Sequence, residues 1–237
     1  NGMFQNLLSF WKGKDFLSSV LKHFEEMLVD AEDMFKSVRA VLIESATNEN
    51  AREKIYAVDR SINDLEKKIR KRIVEHLTLQ PAVDVPVCLV LMSVVKDAER
   101  LGDYAKNLFE VTEMLDSPID TEEFKKYFRE ADKQLISLAE KTRSAFITSD
   151  EALARELFVL EREVVTTCET AIKTLAQADL SVNQAVCFTL IARYFKRIAA
   201  HLMNIGSSVV VPIDKLDFYD EKNRRSGTGG EENEGNI

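Results

Sequence analysis

Residues 96–107 read Lys96-Asp97-Ala98-Glu99-Arg100-Leu101-Gly102-Asp103-Tyr104-Ala105-Lys106-Asn107. Glu99, Asp103 and Asn107 follow one another at four-residue spacing, which on an α-helix stacks two carboxylates and an amide on one face. Like charges at this spacing repel, so the Glu99/Asp103 pair calls for a cation: Arg100, a more distant side chain or a metal. Gly102 and Ala105 are small enough for a neighbouring element to approach closely. A mid-helix glycine costs roughly 1 kcal/mol against alanine, and Gly102 therefore predicts tight packing at that point.

The second half of the chain echoes this stretch. Phe195-Lys196-Arg197-Ile198-Ala199-Ala200-His201-Leu202-Met203-Asn204-Ile205 aligns with it at a shift of 97 positions, from Arg100 to Arg197 and from Asn107 to Asn204. The arginine, the apolar and small residues after it, and the asparagine are kept. The acids are not: Lys196 stands where Glu99 was, and Ala200 where Asp103 was. Further upstream Asp59-Arg60 aligns with Glu161-Arg162 at a shift of 102. The two shifts differ by an insertion near Pro81, and a duplication explains the pattern better than chance periodicity.

The run Glu99-Arg100-Leu101-Gly102-Asp103-Tyr104-Ala105-Lys106-Asn107 resembles the signature of the PhoU family, in which an E/D-x-x-x-D motif occurs once in each of two three-helix repeats. The resemblance covers about Phe16 to Asp220. In the second repeat it is degenerate and rests on Arg197, His201 and Asn204. It implies a cytoplasmic regulator of phosphate uptake and signalling that acts by protein contact and is not an enzyme. The implied partners are the cytoplasmic component of a phosphate transporter and a sensor kinase. Metal clusters on such motifs occur in some members, which carries over to Glu99 and Asp103 alone; iron, zinc or another divalent cation would serve. From the residues themselves, Asp59 on the preceding helix is placed to face them, with Asp97 at the margin. Hard cations favour such carboxylate oxygens. Lys196 and Ala200 cannot supply the second pair, so no comparable cluster is expected there. A salt-bridged or solvated acidic face is the competing reading of Glu99 and Asp103. Asn107 and Asn204 read first as inter-helix hydrogen bonders, and His201 as a packed or capped residue.

Composition agrees with helices. Of 237 residues only 8 are glycine and 4 proline, while 30% are charged and 45% apolar, the balance of a helical protein. The net charge of -8 argues against non-specific nucleic-acid binding, which needs clustered basic residues. The basic run Lys67-Lys68-Ile69-Arg70-Lys71-Arg72 reads as a solvated helix face, with an acidic partner surface or a phosphate ligand as the sharper alternative. Cys88, Cys168 and Cys187 are odd in number and lack CxxC spacing, so they read as reduced core thiols. No run of about 20 apolar residues is present to span a membrane, and no basic stretch precedes an apolar one as in a signal peptide.

Periodicity divides the chain. Residues 1–14 form an apolar N-terminal segment in which Asn1-Gly2 looks like a tag remnant. Met3 to Trp11 reads as a short helix packed on the bundle or as a peripheral membrane or partner contact. Apolar stripes at three and four residues then predict helices over 15–45, 51–78 and 83–115, the first repeat spanning 15–116. Asp15 is placed to cap the first of them. Asp116-Ser117-Pro118-Ile119-Asp120 separates it from a second repeat over 120–212, with helices over 121–148, 151–176 and 181–209. Residues 213–237 form an extension, with a disordered tail from about 224. The fold expected is all-α: two tandem three-helix bundles, six long helices, related by an approximate internal twofold.

No Gly-rich phosphate loop, GxSxG or HExxH is present. The residues three before His23, His76 and His201 are Val20, Ile73 and Ile198, so the Glu-x-x-His pairs of a di-iron bundle are missing. A metal-binding helical-bundle enzyme or store, and an adaptor for another transporter, stay as alternatives, and homodimerisation stays open.

Overall fold

The structure is a computed structural model and describes residues 15–44, 50–80, 84–212 and 216. Every regular element among them is a helix: α1 (Asp15–Glu44), α2 (Ala51–Leu79), α3 (Val85–Met114), α4 (Thr121–Phe128), α5 (Ala131–Thr148), α6 (Glu151–Leu175) and α7 (Val182–Ser207). Met3–Trp11 and the tail from 224 lie outside the described residues, as does the rest of the 213–237 extension apart from the buried Leu216.

The apolar stripes become the core. Val20, Phe24, Met27, Ile62, Ile69 and Ile73 are buried, as are Leu91, Val95 and Ala98 on α3. Chain punctuation does the rest. Asp120, Asp150 and Ser181 each accept a hydrogen bond from a backbone N–H three residues on, capping α4, α6 and α7. Pro86 sits in the first turn of α3, where its missing N–H costs nothing. Asp15 is already the first helical residue of α1, one place inside the cap position expected of it. His76 closes the other end of the first repeat: its Nε2 lies 2.9 Å from Asp84 Oδ2, and its ring stacks on Phe16 at 3.9 Å.

The element expected over 121–148 is broken in two. Arg129 (φ 52°, ψ -115°) and Glu130 (φ -111°, ψ 19°) adopt the two central conformations of a type II′ turn. The first of these favours glycine, so placing an arginine there costs about 1–3 kcal/mol. No glycine or proline announced the break. It lets Phe124 and Phe128 join Phe35, Phe188 and Phe195 in one aromatic cluster, with centroids 4.6–6.4 Å apart, while α5 lies along α1.

Within each repeat the three helices pack on one another: α1, α2 and α3 in the first, α5, α6 and α7 in the second. Between repeats like meets like, α1 against α5 and α3 against α7. The sharpest sign of the twofold is local. Tyr104 and His201 are equivalents under the 97-residue shift, and their rings stack at 5.5 Å; a residue near a twofold axis must face its own counterpart.

Gly102 has its packing reason: a Cβ there would come within 2.9 Å of Ile62 Cδ1 on α2. The close neighbour is a side chain. Gly206 plays the same part on α7, where a Cβ would overlap Leu157 Cδ1.

Candidate functional site

Each carboxylate of the signature has a cation beside it. On α3, Lys96 Nζ donates to Glu99 at 2.7 Å, and Arg100 donates to Asp103 at 3.0 Å. Lys106 reaches across to α2. Its Nζ donates to both oxygens of Asp59 at 2.9 Å and to Asp103 Oδ1 at 3.1 Å. The ammonium thus bridges the two acids that the sequence placed opposite each other. Burial alone would lower the Lys106 pKa, but its hydrogen bonds to Asp59 and Asp103 outweigh burial and raise it. Pairing of Tyr56 with Glu110, Ile62 with Gly102 and Asp59 with Lys106 fixes the antiparallel register of α2 and α3. That register sets the buried Glu66 level with Glu99. Glu66 Oε1 lies 3.0 Å from Arg70 but lacks the geometry of a hydrogen bond, so Arg70 supplies charge without direction.

The remaining signature residues meet at the seam of α3 and α7. Asp97, nine-tenths buried at its side chain, lies 2.7 Å from His201 Nδ1 and accepts from Asn204 Nδ2 at 2.8 Å. An ionised Asp97 requires the proton of His201 on Nδ1. Arg197 Nε donates to Tyr104 Oη at 3.0 Å and its guanidinium stands 5.5 Å from the Tyr104 ring centroid, a cation–π contact. Asn204 is thus an inter-helix hydrogen bonder, whereas Asn107 makes no side-chain hydrogen bond among the described residues. Along the other seam three ion pairs join α1 to α5: Glu32 with Arg143 (3.2 Å), Lys36 with Glu140 (2.8 Å) and Arg39 with Asp132 (2.6 Å).

In the second repeat, Lys196 pairs with Glu169 of α6. The counterparts of Asp103 and Lys106 are Ala200 and the buried Met203, so the bridge of the first repeat has no equivalent there.

As arranged, Glu99, Asp103 and Asp59 do not fit a metal cluster. Among the described residues no three His, Cys, Asp or Glu side chains converge as a cation requires, and Lys106 stands between two of the expected ligands. Sequence reasoning named Asp59, Glu99 and Asp103 but not Lys106, whose four-carbon stem reaches the next helix from three residues beyond Asp103. It also left Asp97 at the margin, although the stretch presents Asp97, Leu101 and Tyr104 at helical spacing, the stripe that faces α7.

The PhoU domain model matches residues 24–112 and again residues 128–209, once in each half of the chain. The chain belongs to the PhoU domain family. The Thermotoga maritima protein named phosphate-specific transport system accessory protein PhoU homolog 1 is 31% identical over 115 residues, 46% of this chain and 48% of that protein. The chain thus matches about half the length of that relative. The Clostridium acetobutylicum PhoU homolog is 22% identical over 170 residues, 69% of this chain and 77% of its own. Crystal structures of PhoU from Pseudomonas aeruginosa (TM-score 0.72, 23% identity, 82% of this chain and 95% of that one) and of the phosphate transport system regulatory protein PhoU from Streptococcus pneumoniae (0.68, 17%, 86% and 97%) share the fold. None of the described helices is long and apolar enough to cross a membrane.

Proposed function

We propose that this chain is a PhoU-type accessory regulator of phosphate transport and phosphate-responsive signalling, working by contact with other proteins on the cytoplasmic side of the membrane and not by turnover. The observation that carries this reading is the tandem pair of PhoU domains, joined to curated relatives named as accessory proteins of a phosphate-specific transport system. The partners follow the same reading: the cytoplasmic component of a phosphate transporter, and a sensor kinase.

Such a regulator transmits a signal only if its partner distinguishes two of its states. The polar seams between the repeats are suited to this. A small rotation of one repeat on the other would break Asp97–His201–Asn204 and Tyr104–Arg197 together, whereas apolar packing within each repeat would persist. Metal is not needed for this device. A divalent cation at Asp59 and Asp103 would have to expel Lys106, which makes metal occupancy a competing state.

The test is affinity capture on native membranes with the full chain as bait, with and without phosphate. Recovery of phosphate-transport components in amounts that change with phosphate is the expected result. Recovery of a different transporter would make the chain an adaptor for that system. Stoichiometric bound metal with substrate turnover would replace the regulatory reading with an enzymatic one.

A further inference from the structure

The break between α4 and α5 borders a cavity of about 380 Å³ that the regulatory reading does not use. It opens where the last turns of α1 meet the start of the second repeat. Ile119 and Phe124 give it an apolar wall, and four cations line it against three acids.

The acids are already answered. Arg39 donates to Asp132 and to Glu44, each at 2.6 Å, and Glu130 pairs with Lys133 at 2.6 Å. Two cations are left over. Among the described residues Lys125 forms an ion pair with Glu122 alone, outside the cavity, in a contact whose partners are 49% and 82% exposed; such a surface pair exchanges readily. Arg129 is exposed and forms no ion pair among the described residues. It is also the residue held at φ 52°, where a glycine would sit without strain. Strained backbone persists where something else requires the residue, and ligand sites are a common reason. Nothing in the packing requires a guanidinium here.

We propose that this cavity binds a small phosphorylated organic anion. Arg129 supplies the planar fork that matches two phosphate oxygens, Lys125 supplies the second charge for a dianion, and the organic part rests against Ile119 and Phe124. The volume lies in the range that houses small ligands. Because the wall joins α1 to the second repeat beside the Arg39–Asp132 pair, an occupant ties the two repeats together. The proposal stands whatever protein the chain contacts, and its test is separate from membrane capture.

Phenyl phosphate is the minimal probe, titrated into the full chain by calorimetry at constant ionic strength, with phenol and inorganic phosphate as controls. Saturable one-to-one binding of phenyl phosphate is expected, tighter than inorganic phosphate, with none for phenol. Arg129→Gly and Lys125→Ala each weaken it by roughly tenfold or more, the loss expected for a charged hydrogen bond. Arg129→Gly relieves the turn, so its melting temperature equals or exceeds that of the unaltered chain; this separates a lost ligand group from a lost fold. Absence of saturable binding, binding unchanged in Arg129→Gly, or inorganic phosphate binding as tightly as phenyl phosphate overturns the proposal.

Discussion

The two repeats share a backbone plan and differ in how they treat charge between their second and third helices. In the first, Lys106 of α3 bridges Asp59 and Asp103, and Glu99 is held by Lys96. In the second, Met203 and Ala200 stand at the corresponding places on α7, Met203 fully buried in the core and Ala200 half-buried, while Lys196 pairs with Glu169 of α6. A duplicated scaffold can thus keep its packing and lose one bridging ion pair, because a part-buried pair contributes little net stability once desolvation is counted. What it cannot lose cheaply is one member of a pair. The seam shows the same asymmetry: Asp97–His201 on one side of the axis has Tyr194–Tyr104 as its equivalent, with rings 5.9 Å apart.

The sharpest way to break the comparison is at the two glycines. Gly206→Ala should destabilise by about 2–3 kcal/mol, since the new methyl overlaps the Cδ1 of the fully buried Leu157 and must displace it far, while Gly102→Ala should change stability by no more than about 1 kcal/mol because Ile62 Cδ1 need move only slightly and the gain in helix propensity offsets it. Equal effects in urea unfolding would mean the second repeat packs no tighter than the first.

Lys106→Met makes the first repeat like the second at one place only. It leaves Asp59 without its cation and facing an Asp103 that keeps only Arg100, and should cost about 2 kcal/mol, at the low end for a broken pair because the groups are part-exposed. Adding Asp59→Asn and Asp103→Asn should restore most of it. A divalent cation should raise the melting temperature of Lys106→Met more than that of the parent; no difference would show that these acids do not accept a cation even when vacated.

Tyr104→Phe removes the acceptor of Arg197 at the seam and should cost about 1 kcal/mol, with a matching loss in Arg197→Ala and little further loss in the double variant. Additive losses would uncouple the two residues.

Burial pushes the Cys88 thiol to about 11 and the Cys168 thiol to about 12, and it raises Cys187 as well. All three are buried and should resist a thiol reagent at pH 8 in the folded chain, whereas unfolding in urea should expose them to rapid modification. The raised Lys106 pKa gives the smallest effect. Its stabilisation is fully present below the unfolded lysine value of about 10.4 and is lost as pH climbs through the folded value, so Lys106→Met should flatten the alkaline limb of the stability curve.

The helices were legible because their stripes recur at three and four residues over long stretches. Observed ends fall within about two residues of those expected, the usual scatter of helix boundaries. The break at Arg129 was not legible: an arginine in a glycine conformation leaves no mark in composition, and the stripe Phe124, Phe128, Ala131, Leu135 runs through it without interruption. At the candidate site, the spacing of Glu99 and Asp103 showed that a cation was needed. It did not show which, since Lys96, Arg100 and Lys106 all lie within reach and only the packing of α2 on α3 selects Lys106 for Asp59.

By itself, then, the sequence determined the helices, the duplication and the family, because periodicity and spacing are local and repeat along the chain. Tertiary structure decided which charges meet. Tyr104 faces its own counterpart, Asp97 meets His201 across 104 positions, and Arg129 is left beside a cavity because the approach of α1, α3, α5 and α7 is set by side chains far apart in sequence. Ion pairing depends on distances of a few ångströms that no single helix contains.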